Sequence, residues 1–227
     1  MYVMTFSSQK GGSGKTTLSG HIAVQAERCG EGPVAIIDTD PQGSLADWWN
    51  ERHTERPVFA AANFAQLAED LERLSEDGIK LAIIDTPPAI TSAIRRVIGV
   101  ADLAVVPTPP SPHDLRAVAA TVDMVERANK PLVFVVNGAT ARARITGEAA
   151  IALSQHGTVA PVIVHQRTDF ASSMIDGRTV MEINSESRSA KEIEQLWEYL
   201  SVRIKKSEPR QLFSQLKKPT FGRRFAY

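Results

Sequence analysis

The segment Lys10–Thr17 constrains this chain more than any other, because it reads Lys-Gly-Gly-Ser-Gly-Lys-Thr-Thr and follows the apolar run Val3–Phe6. Glycines lack a Cβ, so consecutive backbone N–H groups can converge on phosphate oxygens, and a helix that begins at such a loop adds its dipole. Lys15 suits the β and γ phosphates of a nucleotide, and the Thr16 hydroxyl suits Mg²⁺. The segment therefore predicts a phosphate-binding loop between a strand and a helix.

The loop departs from the common pattern G-x-x-x-x-G-K-[ST] at one position and carries a second cation. Gln9 stands where that pattern has glycine, and Lys10 lies five residues before Lys15. A generic glycine-rich turn requires neither lysine, so both lysines favour a functional role. The predicted nucleotide-binding residues of the loop are Gly11, Gly12, Ser13, Gly14, Lys15, Thr16 and Thr17.

Short apolar runs rich in β-branched residues alternate with stretches of helical length along the chain. Runs of this kind are typical of parallel strands buried on both faces. The predicted strands are Val3–Phe6, Val34–Ile37, Leu81–Ile84, Leu103–Val106, Leu132–Val136 and Val162–Val164. The predicted helices are Thr16–Arg28, Phe64–Ser75, Ser92–Val100, Asp114–Arg127, Gly147–Gln155 and Lys191–Lys205. The alternation predicts an α/β fold with a doubly wound, mostly parallel sheet and helices on both faces.

Three aspartates follow predicted strands at their carboxyl ends. Asp38 and Asp40 come after the second strand, and Asp85 comes after the third. Because ligands of such sheets bind in the crevice at the carboxyl ends, we expect these carboxylates to converge on the phosphate site. Three acids beside a triphosphate indicate a metal ion. The alternative for each aspartate is a solvated strand end or a helix cap.

Taken together, these motifs resemble those of the ParA/MinD superfamily of dimeric ATPases, which are P-loop NTPases with a deviant Walker A motif. Lys10–Thr17, Ile37–Gly43 and Ile84–Pro88 are similar to its deviant Walker A, D-x-D-P-Q-G and Walker B motifs, in that order. Pro107–Ala117 and Val164–Glu182 look most like the small ParA-type, or ParF-like, partition ATPases. The resemblance covers roughly residues 1–206.

The resemblance implies ATP and Mg²⁺ as cofactors and a homodimer in the ATP state. It implies that Asp40 orients the attacking water and that Lys10 reaches across the dimer to the partner's nucleotide, so Lys10, Lys15 and Asp40 are the catalytic candidates. Coupling hydrolysis to dimerisation in this way makes physical sense, since phosphoryl transfer depends on positioning and charge stabilisation. The predicted metal-site residues are Thr16, Asp38 and Asp85. The candidates for holding adenine are Asn137, Gln166 and Arg167.

Composition restricts the class of protein. The single cysteine, Cys29, excludes an intramolecular disulfide framework, and no apolar run approaches the roughly 18 residues of a spanning helix. We therefore expect a cytoplasmic protein. The 26 basic and 26 acidic residues balance, but residues 201–227 hold eight basic residues and one acid. This asymmetry predicts an ATPase domain over residues 1–206, then a basic C-terminal tail, 207–227.

The basic end of the chain is where a polyanion would bind, because the rest of the chain is net negative. We expect nonspecific DNA binding there and association with the nucleoid. The predicted DNA-binding residues around the last helix are Arg188, Arg203, Lys205 and Lys206.

Three functions stay open from the sequence. The first is an ATP-dependent dimerising ATPase that binds DNA nonspecifically and segregates a plasmid or chromosome, or positions a protein cluster, with a ParB-like or cargo-adaptor protein stimulating hydrolysis. The alternative is a MinD-like membrane switch, because Leu212, Phe213 and Leu216 lie beside basic residues of the tail. The third is a metabolic kinase or synthetase, which is weaker because no second substrate motif is visible.

Overall fold

The computed structural model describes residues 1–89 and 91–206, and the basic tail predicted at 207–227 lies outside the described residues. Eight described strands form one sheet. The strands are β1 Tyr2–Phe6, β2 Val34–Asp38, β3 Val58–Phe59, β4 Leu81–Asp85, β5 Leu103–Thr108, β6 Leu132–Ala139, β7 Thr158–Val159 and β8 Val164–His165. The helices are α1 Lys15–Arg28, α2 Ser44–Asn50, α3 Leu67–Glu76, α4 Ser92–Val100, α5 Pro112–Arg127, α6 Arg144–Ser154, α7 Thr168–Met174, α8 Val180–Ile183 and α9 Arg188–Lys205.

The strands run in the order β3-β2-β4-β1-β5-β6-β7, and β8 also pairs with β6. Every one of these pairs is parallel. The chain winds outward from β1 in both directions, which confirms the predicted doubly wound sheet.

Alternate residues of the central strands pack on opposite faces of the sheet, as the two-residue period of a strand requires. Met4 and Phe6 of β1 lie in a buried cluster with side chains from α1, α2, α8 and α9. Val3 of the same strand lies in a cluster with α3 and α4, and α5 and α6 cover the neighbouring strands on that face. The sheet is therefore buried on both sides, as its near-continuous apolar strands predict.

The structure differs from the sequence prediction mainly in short elements. The strand predicted at Val162–Val164 lies at Val164–His165, and β3, β7, α7 and α8 were not predicted. Elements of two to seven residues carry too little periodicity to be recognised in a sequence. The last helix begins at Arg188 rather than Lys191, because the Ser187 hydroxyl caps it by accepting a hydrogen bond from the Ala190 N–H at 3.1 Å.

The sheet register brings the predicted motifs to one edge. Asp38 at the end of β2 pairs with Asp85 at the end of β4, and Asp85 also pairs with Phe6 at the end of β1. The chain leaves β1 at Phe6 and reaches the glycine-rich loop before α1 begins at Lys15. The loop and the three aspartates therefore meet at the carboxyl edge of three adjacent strands.

Candidate functional site

The glycine-rich loop turns through left-handed backbone at Gly12 and Gly14, with φ angles of 73° and 90°. A Cβ at Gly14 would clash with the Asn137 side chain, whereas one at Gly11 or Gly12 would meet nothing within 4 Å. Gly14 is the N-cap of α1 and offers no side chain to the first N–H groups of that helix. The loop thus presents open space and free helix N–H donors, which is the arrangement that binds phosphate.

The two lysines of the loop lie in different environments. The Lys15 side chain is buried, and its Nζ donates a hydrogen bond to the Lys10 carbonyl at 3.2 Å. Burial lowers the pKa of Lys15 from its ordinary value, and the charges of Asp85 and Asp40 oppose that shift. Lys10 is exposed. One lysine therefore serves the interior of the loop, and the other is available to a second molecule.

The Asp85 carboxylate lies beneath the loop, almost fully buried. Its Oδ2 accepts a hydrogen bond from the Thr16 hydroxyl at 2.6 Å, and its Oδ1 accepts one from Ser19 at 3.4 Å. Burial raises the pKa of Asp85 to about 7, although the Thr16 hydrogen bond acts to lower it. A buried acid beside a hydroxyl suits a nearby divalent cation, because the cation would favour the charged carboxylate.

Asp38, predicted to lie at the metal site, caps α2. Its Oδ2 accepts hydrogen bonds from the N–H groups of Leu45 and Ala46 at 2.9 and 3.0 Å, and its Oδ1 accepts one from the Asp40 N–H at 2.9 Å. Both carboxylate oxygens are thus taken by backbone donors, which is the helix-cap alternative. The described residues hold no cluster of three or more acidic, histidine or cysteine side chains suited to a metal ion. Mg²⁺ needs no such cluster, since it is usually held by one or two carboxylates, water and phosphate.

Asp40 lies across the opening from the loop. It is half-buried, and its Oδ1 accepts a hydrogen bond from the Gln42 N–H at 3.0 Å. It lines a cavity of about 900 Å³ together with the glycines of the loop, Lys15 and residues of α2 and α7. Thr39 fixes the preceding backbone, because its N–H and hydroxyl both donate to the Asp85 carbonyl, at 3.0 and 2.5 Å. The structure thus places Asp40 and Lys15 in the wall of one cavity.

The three residues predicted to hold adenine line a second cavity, of about 320 Å³, on the other side of Gly12 and Gly14. The Asn137 amide donates to the Ser13 carbonyl at 2.7 Å, so it also supports the loop. The Arg167 guanidinium is held by Glu192 of α9 through two hydrogen bonds of 2.6 and 2.7 Å. Glu192 was not predicted from the sequence, because nothing in the residues around it indicates a contact with Arg167, 25 residues earlier.

Polar groups in and beside the loop lack partners within the described chain. Ser13 Oγ and Gln9 Nε2 are buried and accept or donate no hydrogen bond to any described residue. Buried polar atoms are nearly always hydrogen-bonded, so orphaned ones indicate a missing ligand or solvent. Together with the open glycine cradle and the buried Lys15, they show that the residues present fit a nucleotide phosphate chain and its Mg²⁺.

The four predicted DNA-binding residues do not form one patch. Arg188 and Arg203 stand at opposite ends of α9, about 22 Å apart along the helix. Lys205 forms an ion pair with Glu31 at 2.5 Å. Arg203 and Lys206 instead line a cavity of about 430 Å³ with Lys130, which sequence reasoning missed. This basic patch, Lys130, Arg203 and Lys206, lies where β5 and β6 begin, at the opposite edge of the sheet from the glycine-rich loop.

A family model described as the CobQ/CobB/MinD/ParA nucleotide binding domain matches residues 4–180. The chain belongs to this family. The match spans the loop, the three aspartates, α2 and the start of α8, and it confirms the resemblance to the ParA/MinD superfamily of ATPases. The chain is therefore a nucleotide-binding member of that family.

Two curated relatives are named for the distribution of carboxysomes. The chain is 27% identical over 199 residues to maintenance of carboxysome distribution protein A from Halothiobacillus neapolitanus, covering 83% of this chain and 91% of the relative. It is 42% identical over 128 residues to the protein of the same name from Gloeobacter kilaueensis, covering 54% of each chain.

Solved structures agree on the fold. The apo structure of Cyanothece McdA is 18% identical, with a TM-score of 0.75, and the match covers 88% of this chain and 99% of that one. A Cyanothece McdA structure in complex with ATP is likewise 18% identical, with a TM-score of 0.73 and coverage of 93% and 98%. At this identity the similarity establishes the fold, and it shows that a chain of this fold binds ATP.

Proposed function

We propose that this chain is an Mg²⁺-dependent ATPase that dimerises with ATP, binds DNA nonspecifically, and positions a cargo in response to an adaptor protein. The observation that carries the proposal is the pair of loop lysines. Lys15 is buried against the loop, where one cation is enough to serve the bound phosphates, whereas Lys10 is exposed on the same loop. An exposed cation beside a phosphate site is suited to the nucleotide of a second copy.

Hydrolysis is assigned to the cavity wall. Asp40 lines the same cavity as the loop, and of the two motif aspartates Asp38 and Asp40 it is the one left to orient water, since Asp38 is engaged with the N-terminus of α2. Thr16 and Asp85 would hold Mg²⁺, which neutralises charge on the phosphates when it is bound. Lys10 from the partner would add a second positive charge only in the dimer. Turnover therefore depends on dimerisation.

DNA binding is assigned to the basic patch and the basic tail. Lys130, Arg203 and Lys206 lie at the sheet edge away from the loop, so DNA and nucleotide would not compete for space. One copy offers few phosphate contacts, and log affinity depends on the number of contacts. Two copies joined by ATP offer twice as many, which makes DNA binding depend on ATP. In this proposal the ATP form is bound to the nucleoid.

For the cargo, we favour a protein cluster over a plasmid. Both curated relatives are named for carboxysome distribution, and the match to the Halothiobacillus neapolitanus protein covers most of both chains. A cargo-adaptor protein, rather than a DNA-bound ParB-like protein, would then stimulate hydrolysis. The test compares the ATPase rate in the presence of a purified cargo-adaptor protein and in the presence of a ParB-like protein bound to centromere-like DNA. Stimulation by the adaptor alone supports a protein cluster as cargo, and stimulation by the DNA complex supports a plasmid.

The MinD-like membrane alternative depends on Leu212, Phe213 and Leu216, which lie outside the described residues. Within the described part of the chain, no helix combines the length and apolar character that crossing a membrane requires.

Sedimentation velocity with ATP and Mg²⁺ tests the dimer. The wild-type chain should shift from monomer to dimer, and the Lys10→Ala variant should stay monomeric while it still binds ATP. Lys130→Ala is the matched control, because it removes one cation far from the loop and should dimerise as the wild type does. If Lys10→Ala dimerised normally, or if the wild type showed no ATP turnover, the proposed function would be wrong.

A further inference from the structure

An ion pair between the buried side chain of Arg52, two residues beyond the end of α2, and the partly exposed carboxylate of Glu182 joins this segment to α8. The Arg52 side chain, only 3% exposed, makes two bonds to Glu182: Nη2 to Oε1 at 2.8 Å and Nη1 to Oε2 at 3.2 Å. Glu182 also receives hydrogen bonds from the Thr179 N–H and hydroxyl, at 2.8 and 2.9 Å. Although burial acts to raise it, the pKa of Glu182 lies below its ordinary value because of Arg52. The pair is therefore charged, and both Nη atoms of Arg52 donate hydrogen bonds to Glu182, whereas the buried Nε atom has no partner among the described residues.

Further contacts connect the same two segments. Arg52 Nη1 donates to the Gly177 carbonyl at 2.6 Å, and its guanidinium lies over the Trp48 ring at 4.9 Å. The Trp48 indole N–H donates to the Arg178 carbonyl at 3.1 Å. A Cβ at Gly177 would clash with the Arg52 backbone, so the two segments approach as closely as glycine allows. We call these contacts, made by Trp48 and Arg52 to residues 177–182, the α2–α8 latch.

The other end of α2 carries the residues proposed for hydrolysis. Asp38 caps the helix and also binds the Asp40 N–H, so Asp40 lies within the turn that enters α2. The helix has seven residues and is about 10 Å long. A short helix held at both ends moves as one piece. Its position therefore fixes where the Asp40 carboxylate stands relative to the phosphate loop.

The latch also reaches the helix that carries that loop. The Val180 N–H of α8 donates to His21 Nε2 at 3.2 Å, and His21 Nδ1 donates to the Thr17 carbonyl at 2.7 Å. Thr17 lies in the first turn of α1, beside Lys15 and Thr16. A continuous path of hydrogen bonds thus runs from the first turn of α1 through α8 to the end of α2.

We propose that Arg52 and Glu182 are positioning residues for ATP hydrolysis, which hold α2 at a fixed distance from α1 and so place Asp40 opposite the bound phosphates. This inference rests on the proposed ATPase function. Buried ion pairs are weak contributors to stability, because desolvation offsets much of their attraction, whereas their geometry is specific. An ion pair of specific geometry is suited to holding a catalytic group in place, since displacement of such a group by about 1 Å can lower the rate about a hundredfold.

The test measures kcat, ATP affinity and thermal stability of the full chain for three latch variants and one control variant. Glu182→Gln keeps the shape of the side chain and removes its charge, and we expect kcat to fall about tenfold or more with ATP affinity within about twofold of the wild type. Arg52→Lys should also lower kcat relative to the wild type, although it keeps the positive charge. An ammonium group cannot reproduce the hydrogen bonds of the guanidinium group to Glu182 and Gly177.

Trp48→Phe provides a milder variant that keeps an aromatic ring and loses one N–H donor. Trp49→Phe is its matched control, because the Trp49 indole donates to the local Pro57 carbonyl at 2.7 Å and lies outside the latch. We expect Trp48→Phe to lower kcat and Trp49→Phe to leave it unchanged, with both retaining ATP binding.

The outcomes separate this inference from the proposed function. If Glu182→Gln or Trp48→Phe melted at a lower temperature but kept wild-type kcat, the latch would be structural only and the inference would be overturned. Equal kcat losses in Trp48→Phe and Trp49→Phe would overturn it too. A wild-type chain that bound ATP without hydrolysing it would overturn the proposed function as well, whereas Asp40→Ala without effect on turnover would overturn this inference and leave the ATPase function standing.

Discussion

The Nζ atom of Lys15 lies 3.2 Å from the carbonyl oxygen of Lys10 and donates a hydrogen bond to it. The ammonium group is thereby folded into the loop where phosphate oxygens would bind, and it can exchange a neutral acceptor for charged ones, which form stronger bonds. We expect Lys15→Ala to abolish ATP binding, measured by equilibrium dialysis with Mg²⁺. Lys10→Ala should bind ATP as the wild type does, and tight binding by Lys15→Ala would contradict the phosphate-loop assignment.

Asp40→Ala is expected to bind ATP and to stop turnover. The carboxylate lines the cavity and makes no hydrogen bond or ion pair with Lys10 or Lys15 in the described structure, so its loss should remove water placement rather than nucleotide affinity. The ATP-bound dimer should then accumulate, which light scattering would detect. Asp47→Ala, at another acidic residue lining the same cavity, is the control. Steady-state hydrolysis at the wild-type rate would rule out the role assigned to Asp40.

The loop and Asp85 could be predicted from the sequence because each follows a strongly apolar strand, and parallel strands end at a common edge. The sequence left the role of Asp38 open between a metal site and a helix cap, since the cap depends on where α2 begins relative to β2. The Arg52–Glu182 ion pair could not be predicted from the sequence, because 130 residues separate the two side chains. By contrast, the separation of Arg188 from Arg203 follows from helix geometry alone and was available from the sequence.

His21 should make the stability of the chain depend on pH. Burial lowers its pKa from 6.5 to about 4. As pH falls below 6.5, the unfolded chain therefore binds a proton that the folded chain refuses until about pH 4. The stability from this group is complete above pH 6.5 and is lost as pH falls, by roughly 3 kcal/mol in total.

Urea unfolding from about pH 7 to about pH 4.5 measures the effect of His21 on the free energy of unfolding. The slope against pH should be flatter for His21→Gln than for the wild type. His156→Gln is the matched control, because His156 is exposed. Identical slopes for His21→Gln and the wild type would mean that His21 is not buried as a neutral group.

Replacing a cation of the basic patch should weaken ATP-dependent DNA binding and reduce its salt dependence. Each phosphate contact contributes about 0.9 to the slope of log affinity against log salt, so Lys130→Ala and Lys206→Ala should each lower the slope by about that amount per copy. Arg188→Ala, at the far end of α9, is the control and should leave the slope unchanged. Fluorescence anisotropy with a short duplex at several salt concentrations measures it. A larger effect for Arg188→Ala would move the DNA site to that end.

Deleting residues 207–227 removes five positive charges and one negative charge. We expect weaker ATP-dependent DNA binding with a shallower salt slope, and unchanged ATP hydrolysis in the absence of DNA. Cosedimentation with DNA and with anionic liposomes separates the two hypotheses for the tail. Intact DNA binding together with loss of liposome association would favour the MinD-like membrane alternative.

The basic patch and the glycine-rich loop lie at opposite edges of the sheet and share no lining residue. In thermodynamic terms, ATP and DNA then communicate only through the association of two copies. Linkage is reciprocal, so DNA should tighten ATP binding by the same factor by which ATP tightens DNA binding. At protein concentrations too low for dimers, that factor should approach one. The local concentration of the protein therefore determines whether ATP and DNA affect each other's binding.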